Sequence, residues 1–327
     1  SITYNYDTGG YYIRPKLGVH YTNYSLDNQG TLPSSPDRSI PIFSIDSGLF
    51  YEKDTTLFGK SMLQTLEPRF YYLNVDEENQ NNIPVFDTSL LDFNSSSLFS
   101  ENRFSGIDRI GDANQLSVGV TSRLLDAADG TEKVSATVGQ IYYFSDRDVT
   151  LPGESPDTDD VSPIIAELNY RPYRELLASA QLHWDPEESK TERQLYRVKY
   201  QPEDDKIINV AYRYRDKFLK QTDVSALWPL DKNKRWHAIG RWNYSIKDSK
   251  TLDTFGGIEY ESCCWKTRVV ARRWVTDVDS DYDTGIFFEL ELKGLGSFGD
   301  DITSFLETGI LGYDRHIKEN DDDTYYY

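Results

Sequence analysis

From Gln115 onward, apolar and polar residues alternate with a period of two. Val134, Ala136, Val138, Tyr142 and Phe144 interleave with Ser135, Thr137 and Gly139. Leu176, Ala178, Ala180, Leu182 and Trp184 interleave with Ser179, Gln181 and His183. The same holds for Ile208, Val210, Tyr212 and Tyr214 against Asn209, Arg213 and Arg215, and for Trp236, Ala238, Gly240, Trp242 and Tyr244 against His237, Arg241 and Asn243. Ile286, Phe288, Leu290 and Leu292 alternate with Glu289, Glu291 and Lys293. Successive side chains of a strand point to opposite faces, so each run predicts a strand with one apolar and one charged face. The chain reads as about fifteen strands, with no helix of any length and no repeat beyond the hairpin.

Before Gln115 the pattern is looser. Strands are expected at Ile2–Asp7, Tyr11–Leu26, Ile40–Lys53 and Thr56–Val75, with Asp27–Ser39 a loop. Pro68 has no N–H for a ladder and marks a bulge or bend. Asp76–Asn114 lacks clean alternation but carries Phe86, Phe93, Phe99 and Phe104. A loop of that length is functional or disordered, and its aromatics favour one that folds onto something. Connections alternate in length. They are short at Asp7–Gly10, Lys53–Thr56, Asp126–Gly130, Arg171–Tyr173, Pro202–Asp205 and Glu261–Cys264, and longer at the intervening ones, with the contrast fading between 216 and 250. Outer-membrane barrels keep this phase, with short periplasmic turns and long extracellular loops. The short turn at Cys263 and Cys264 then lies on the periplasmic, oxidising side.

Composition fits this picture without proving it. Hydrophobic residues make up only 38% and aromatics 14%, with 24 Tyr and one Met, which suits a barrel or another all-β protein. No apolar run approaches the ~18 residues of a membrane helix, which excludes a helical membrane protein but not a barrel. The net charge of -19 argues against nucleic acid as a partner. The chain starts at Ser1 without a signal peptide, so it is expected to be a mature form or a piece of a longer protein.

Candidate chemistry is sparse. Cys263 and Cys264 are adjacent, and Cα atoms about 3.8 Å apart rarely allow a mutual bridge. Either both thiols are free or both reach cysteines outside these residues. A redox pair of the Cys-x-x-Cys type is absent. A metal site needs more ligands, and His20, His183, His237 and His316 are scattered along the chain. Gly294–Gly299 matches the dinucleotide fingerprint as a string but lacks a βαβ unit, so it reads as a flexible tail after the last strand. The acidic run Asp277–Asp283 reads as a solvated loop tip. No nucleophile or paired-carboxylate motif calls for catalysis, and no cofactor is implied. Arg213, Arg215, Arg241, Arg268 and Arg272 fall on the inner side or near strand ends. They would suit anionic glycolipid phosphates, or simply form a polar lumen.

Glu259-Tyr-Glu-Ser-Cys-Cys-Trp265, Val269-Val-Ala-Arg-Arg-Trp274 and Phe287–Ser297 together closely resemble the C-terminal end of the LptD family. Leu66–Leu73 resembles a strand of that family, and Phe86–Ser89 with Leu98–Asp112 its long loop. The resemblance spans the whole chain. It implies an antiparallel transmembrane β-barrel of the Gram-negative outer membrane, of which residues 1–327 would be about fifteen C-terminal strands of 26. The periplasmic jellyroll and the first strands would be absent.

The implied function is insertion of lipopolysaccharide into the outer leaflet, without catalysis, through the lumen and a lateral seam between first and last strands. Thr284, Ile286, Phe287, Phe288, Glu289 and Leu290 would line the seam, in a last strand spanning about Thr284–Lys293. Phe99, Asn102, Arg103, Phe104, Asp108 and Arg109 would belong to a loop meeting the lumen and its plug. Cys263 and Cys264 would form disulfides to the missing N-terminal region. Implied partners are the LptE lipoprotein plug, the periplasmic lipopolysaccharide bridge by way of the missing domain, and the barrel-assembly machinery during folding. The alternative is another outer-membrane porin or solute-transporter barrel. An odd strand number leaves two open edges, which lipid forbids, so the piece alone is not expected to close.

Overall fold

The computed structural model describes residues 1–27, 30, 33–57, 59–277, 280–314 and 316. It is almost wholly antiparallel β-structure. The strands are β1 (Ile2–Thr3), β2 (Tyr6–Asp7), β3 (Tyr11–Asn23), β4 (Asp37–Leu49), β5 (Tyr51–Leu57), β6 (Lys60–Val75), β7 (Ala113–Asp126), β8 (Glu132–Tyr143), β9 (Ile164–Tyr173), β10 (Leu176–Asp185), β11 (Lys190–Glu203), β12 (Lys206–Arg215), β13 (Leu219–Pro229), β14 (Trp236–Ser245), β15 (Lys250–Glu261), β16 (Trp265–Trp274), β17 (Asp283–Leu292) and β18 (Gly296–Gly299). An α-helix, α1 (Ile302–Gly309), follows, and Tyr313, Asp314 and His316 beyond it are also helical. Two compact units can be separated, Ser1–Leu168 with Leu182–Lys190, and Asn169–Gln181 with the chain from Thr191 onward.

The segments outnumber the expected fifteen strands for a simple reason. β1 and β2 share one register against β3, and β4 and β5 share one against β6. The break between β4 and β5 falls opposite Glu67 and Pro68, between the pairs Gly48–Arg69 and Tyr51–Leu66. Pro68 has no N–H to give there, so the ladder is interrupted, while its other edge stays in register with β7 at Val120. Merging the two interrupted strands leaves the fifteen anticipated plus β18. Some boundaries move. The hairpin expected at Lys53–Thr56 turns between Leu57 and Lys60 instead, and β4 begins at Asp37, inside the stretch read as a loop.

In the first unit, β3, β4, β6, β7 and β8 pair in order. One face is apolar and exposed. Ile13, Leu17, Val19 and Tyr21 of β3, Phe70 of β6, Val120 of β7 and Val138 of β8 all point to solvent. The other face is mixed, with Ile40, Tyr71, Leu73, Val75 and Ala113 in a buried cluster beside polar side chains, and it carries the 76–112 connection. Gly119 and Gly139 are directly opposite each other on β7 and β8. A Cβ at Gly139 would sit 2.6 Å from Leu98 Cδ1, and one at Gly119 2.9 Å from Phe99 Cζ. The glycine pair thus makes a flat seat for Leu98 and Phe99. Leu98 is fully buried with Ile141 and Ile165. Phe99 also stacks under Arg69, whose guanidinium is 4.1 Å from the ring centre.

In the second unit, β11 to β18 pair consecutively. Val198, Val210, Val224 and Trp242 form one row across four strands, and Ile258, Val269 and Phe288 another. These rows lie on the exposed face. Ile207, Leu227, Ile239, Phe255 and Val270 face the other way and are covered by Ile302, Leu306, Ile310 and Tyr313. Gly294–Gly299, read as a flexible tail, is instead a turn and β18. β17 is therefore not the last strand. The absence of any helix also fails, because α1 packs here. Its start is fixed by Asp301, whose carboxylate accepts from the Ser304 N–H.

Leu98→Ala should unseat the loop, since emptying such a site costs about 2–5 kcal/mol. Limited proteolysis of the intact protein should then cut within 76–112 faster than in wild type, with the strands still protected. Unchanged cleavage would mean that Leu98 does not anchor the loop.

Candidate functional site

The inner face of β14–β17 carries one rung of charged and polar side chains. His237 faces Glu259, Glu259 faces Arg268 and Arg268 faces Glu289 across successive strands. Opposite charges on neighbouring strands attract, and burial strengthens this. Glu259 and Arg268 are 0% and 1% exposed. Arg268 Nε donates to Glu259 Oε2 at 2.8 Å, and its Nη1 reaches Glu289 at 3.0 Å and Glu291 at 3.2 Å. One step toward the turn, Lys266 faces Glu261 and Glu291 on its two neighbours and bonds Glu261 at 3.1 Å.

The segment after α1 completes this network. Tyr313 donates its hydroxyl to Glu259 Oε2 at 2.6 Å, and His316 Nε2 lies 2.7 Å from Glu259 Oε1. Burial, and then the Glu259 charge, push the Tyr313 phenol well above its ordinary pKa, so it stays a donor. Histidines scattered in sequence are thus brought together, and His237 and His316 have ring centres 4.9 Å apart. Further along the same face, Arg241 is held by Asp223 and Asp253, and Arg272 by Asp253. Arg213 lies 3.6 Å from Asp223, and Arg215 packs over Phe218. Arg241, Arg268 and Arg272, which suited glycolipid phosphates in the sequence, are therefore committed to carboxylates of the chain itself.

Cys263 and Cys264 form the turn between β15 and β16, just beyond this network. Lys293 N–H donates to the Cys264 carbonyl, and Lys293 Nζ bonds Glu261 at 2.7 Å. Both thiols are exposed and free, with Sγ atoms 3.0 Å apart. Hydrogen bonding from Cys264 lowers the Cys263 thiol below its usual pKa and raises that of Cys264.

The residues named for the seam divide between two faces. Thr284, Ile286 and Phe288 are exposed, with Leu290 on the same face, while Phe287 packs against the core and Glu289 is buried on Arg268. β18 pairs only with Glu289–Leu292. Among the described pairings, the outer edge of β17 from Asp283 to Phe287 has no partner strand. Gly294, Gly296 and Gly299 adopt φ of +80°, +135° and +104°, which keeps β18 short.

The loop residues form a self-contained cluster in the first unit. Asn102 donates to the Arg109 carbonyl and accepts from Gly111 N–H. Arg103 grips Asp112 and the Val149 carbonyl and stacks on buried Phe104. Asp108 is buried, which raises its pKa, but the N–H groups of Asp87 and Phe86 outweigh this and hold it below its ordinary value. Arg109 donates to the Ile83 carbonyl at 2.7 Å. Patterning does not single out Arg38, which reaches from β4 to Gln80 and to the Ile107 and Asp108 carbonyls. Its position near the edge of an assumed loop concealed it.

Antiparallel strands with an exposed apolar face and an inner face of buried charges and apolar clusters, covered by the chain's own loop and C-terminal segment, define an outer-membrane β-barrel protein. The family model described as "LptD: LPS transport system D" matches residues 1–236. "LPS-assembly protein LptD" of Nitrosococcus oceani is 42% identical over 315 residues, covering 96% of this chain and 42% of that one. The proteins of the same name from Pseudomonas aeruginosa and Aromatoleum aromaticum are 43% and 42% identical, over 92% and 95% of this chain. The chain belongs to the LptD family, and it spans about two fifths of the length of these relatives.

Removing one partner of a buried ion pair strands the other charge, at a cost of about 3–5 kcal/mol. Arg268→Ala should therefore lower the thermal unfolding midpoint of the intact protein sharply. Arg14→Ala, at an exposed pair with Asp7 worth about 0–1 kcal/mol, should barely move it. Equal shifts for both variants would contradict the weight placed on the Arg268 network.

Proposed function

We propose that this chain forms the C-terminal part of a translocon that inserts lipopolysaccharide into the outer leaflet, through the barrel lumen and a seam beside β17. The observation that carries this reading is the outer edge of β17 at Asp283–Phe287, which has no partner strand among the described pairings. An unsatisfied edge in hydrocarbon is costly, so it needs a partner strand or a passing ligand. In the whole protein the first strands would close it weakly, and an acyl chain could part the two. Family membership supports the substrate, since the relatives are named for lipopolysaccharide assembly. It also disfavours a porin or solute transporter.

Cys263 and Cys264 are proposed to form disulfides with the N-terminal region. Their exposure and the lowered Cys263 pKa support this, because the thiolate is the species that exchanges. The loop holding Phe99, Asn102, Arg103, Phe104, Asp108 and Arg109 rests on the inner face and would meet an LptE-type lipoprotein plug. Lipopolysaccharide bridge proteins would dock through the N-terminal domain, and the barrel-assembly machinery would fold the protein.

A photo-crosslinker at Phe287 in the full-length protein in cells tests the seam, with Tyr212 on the lipid face as control. Glu289 is unsuitable because replacing it breaks the Arg268 pair. A lipopolysaccharide adduct at Phe287 and none at Tyr212 is expected. Equal labelling, or none at Phe287, would overturn the seam.

A further inference from the structure

We propose that His237, His316 and Glu259 bind a divalent metal of the zinc type, which pins the C-terminal segment to the inner face of the sheet. The three residues come from β14, β15 and the end of the described chain. One ligand atom from each lies within 4.8 Å of the others, and all three residues are buried. A tetrahedral zinc with ligands at about 2.0–2.1 Å needs donors about 3.3 Å apart. His316 Nε2 stands 2.7 Å from Glu259 Oε1 and His237 Nδ1 3.7 Å from it, and with all three donors within 4.8 Å, side-chain shifts of up to about 1.5 Å reach that spacing.

His237 supplies the second observation. It is 1% exposed, and neither ring nitrogen makes a hydrogen bond. Such a group is costly unless something satisfies it. Its Nε2 faces Asp205 Oδ2 at 3.6 Å, and that oxygen also makes no hydrogen bond. Metal-bound histidines usually donate their other N–H to a carboxylate. With Nδ1 on the metal and Nε2–H on Asp205, both unsatisfied atoms are accounted for at once.

Glu259 is divided in a way that suits a single-oxygen ligand. Oε2 is taken by Arg268 and Tyr313, while Oε1 faces the two histidines. Lys266 Nζ lies 3.6 Å from Oε1 but closer to Glu261, which balances its charge. Two imidazoles and one carboxylate are a donor set that zinc accepts, leaving one position for water. The metal would tie the segment after α1 to β14 and β15, directly beneath the Cys263–Cys264 turn.

The test uses the intact, tag-free protein in detergent, stripped with chelator and titrated with Zn²⁺ against a chromophoric competitor. One zinc per chain is expected. The Cys263→Ser/Cys264→Ser variant should bind as wild type, and His316→Asn should lose binding. Asp205→Asn should weaken it about 10–100-fold. X-ray absorption should show nitrogen and oxygen at about 2.0–2.1 Å and no sulfur at about 2.3 Å. Stripping the metal should speed proteolysis within 302–316. His316→Asn decides the matter even if His237 variants fail to fold, because it lies on the segment and not in a strand. No stoichiometric zinc, unchanged affinity in His316→Asn, or a sulfur shell would overturn the site.

Discussion

A strand in hydrocarbon has nowhere to place an unpaired N–H or C=O, and most features of this chain follow from that constraint. Antiparallel pairing satisfies the backbone, and the two-residue period sends one set of side chains to lipid and the other inward. Rows such as Val198, Val210, Val224 and Trp242 can then be exposed without penalty. The inward set is free to be polar, and here buried charges sit beside apolar clusters on the same face. Its charges are buried not by the sheet but by two pieces of chain laid upon it, the 76–112 loop in one unit and the 300–316 segment in the other.

The two pieces are held by different means. The loop is seated by shape, through the Gly119 and Gly139 pair beneath Leu98 and Phe99. The C-terminal segment combines an apolar cover over Ile207, Leu227, Ile239, Phe255 and Val270 with the Glu259 hub. A buried charge network is fixed in geometry, because each partner lost leaves another unsatisfied. That rigidity sits next to the outer edge of β17, which from Asp283 to Phe287 has no partner strand among the described pairings. Under the proposed seam, a stiff inner wall beside this edge would suit a lateral exit, since the edge could part while the wall keeps its shape.

Much of the sheet was legible because its signal is local. The alternation at Trp236–Tyr244 and Ile286–Lys293 places His237 and Glu289 on the inner face without any knowledge of neighbours. Register is not local. Nothing in the sequence says that His237, Glu259, Arg268 and Glu289 share a rung, or that His316, 57 residues beyond Glu259, returns to it. The arginines were correctly placed inside, but their carboxylate partners lie on other strands. Gly294–Gly299 was read as slack because three glycines hide a strand pattern, although positive φ at those positions is what shapes the turn and ends β18. Pro68 reads in the sequence as a bulge or bend, but β6 keeps its register with β7 straight through it. Its effect falls on β4 and β5 across the ladder, which a one-dimensional reading does not show.

The two-faced sheet is tested most directly by spin labels placed one at a time on β12 of the reconstituted intact protein, from Ile207 to Tyr212, using a handle other than cysteine. Collision with oxygen, which concentrates in lipid, should be high at Ile208, Val210 and Tyr212 and low at Ile207, Asn209 and Ala211. A polar nickel chelate should show no contact with the first set. Uniform accessibility along the strand, or the opposite phase, would contradict a membrane-spanning sheet whose inner face is covered by its own C-terminal segment.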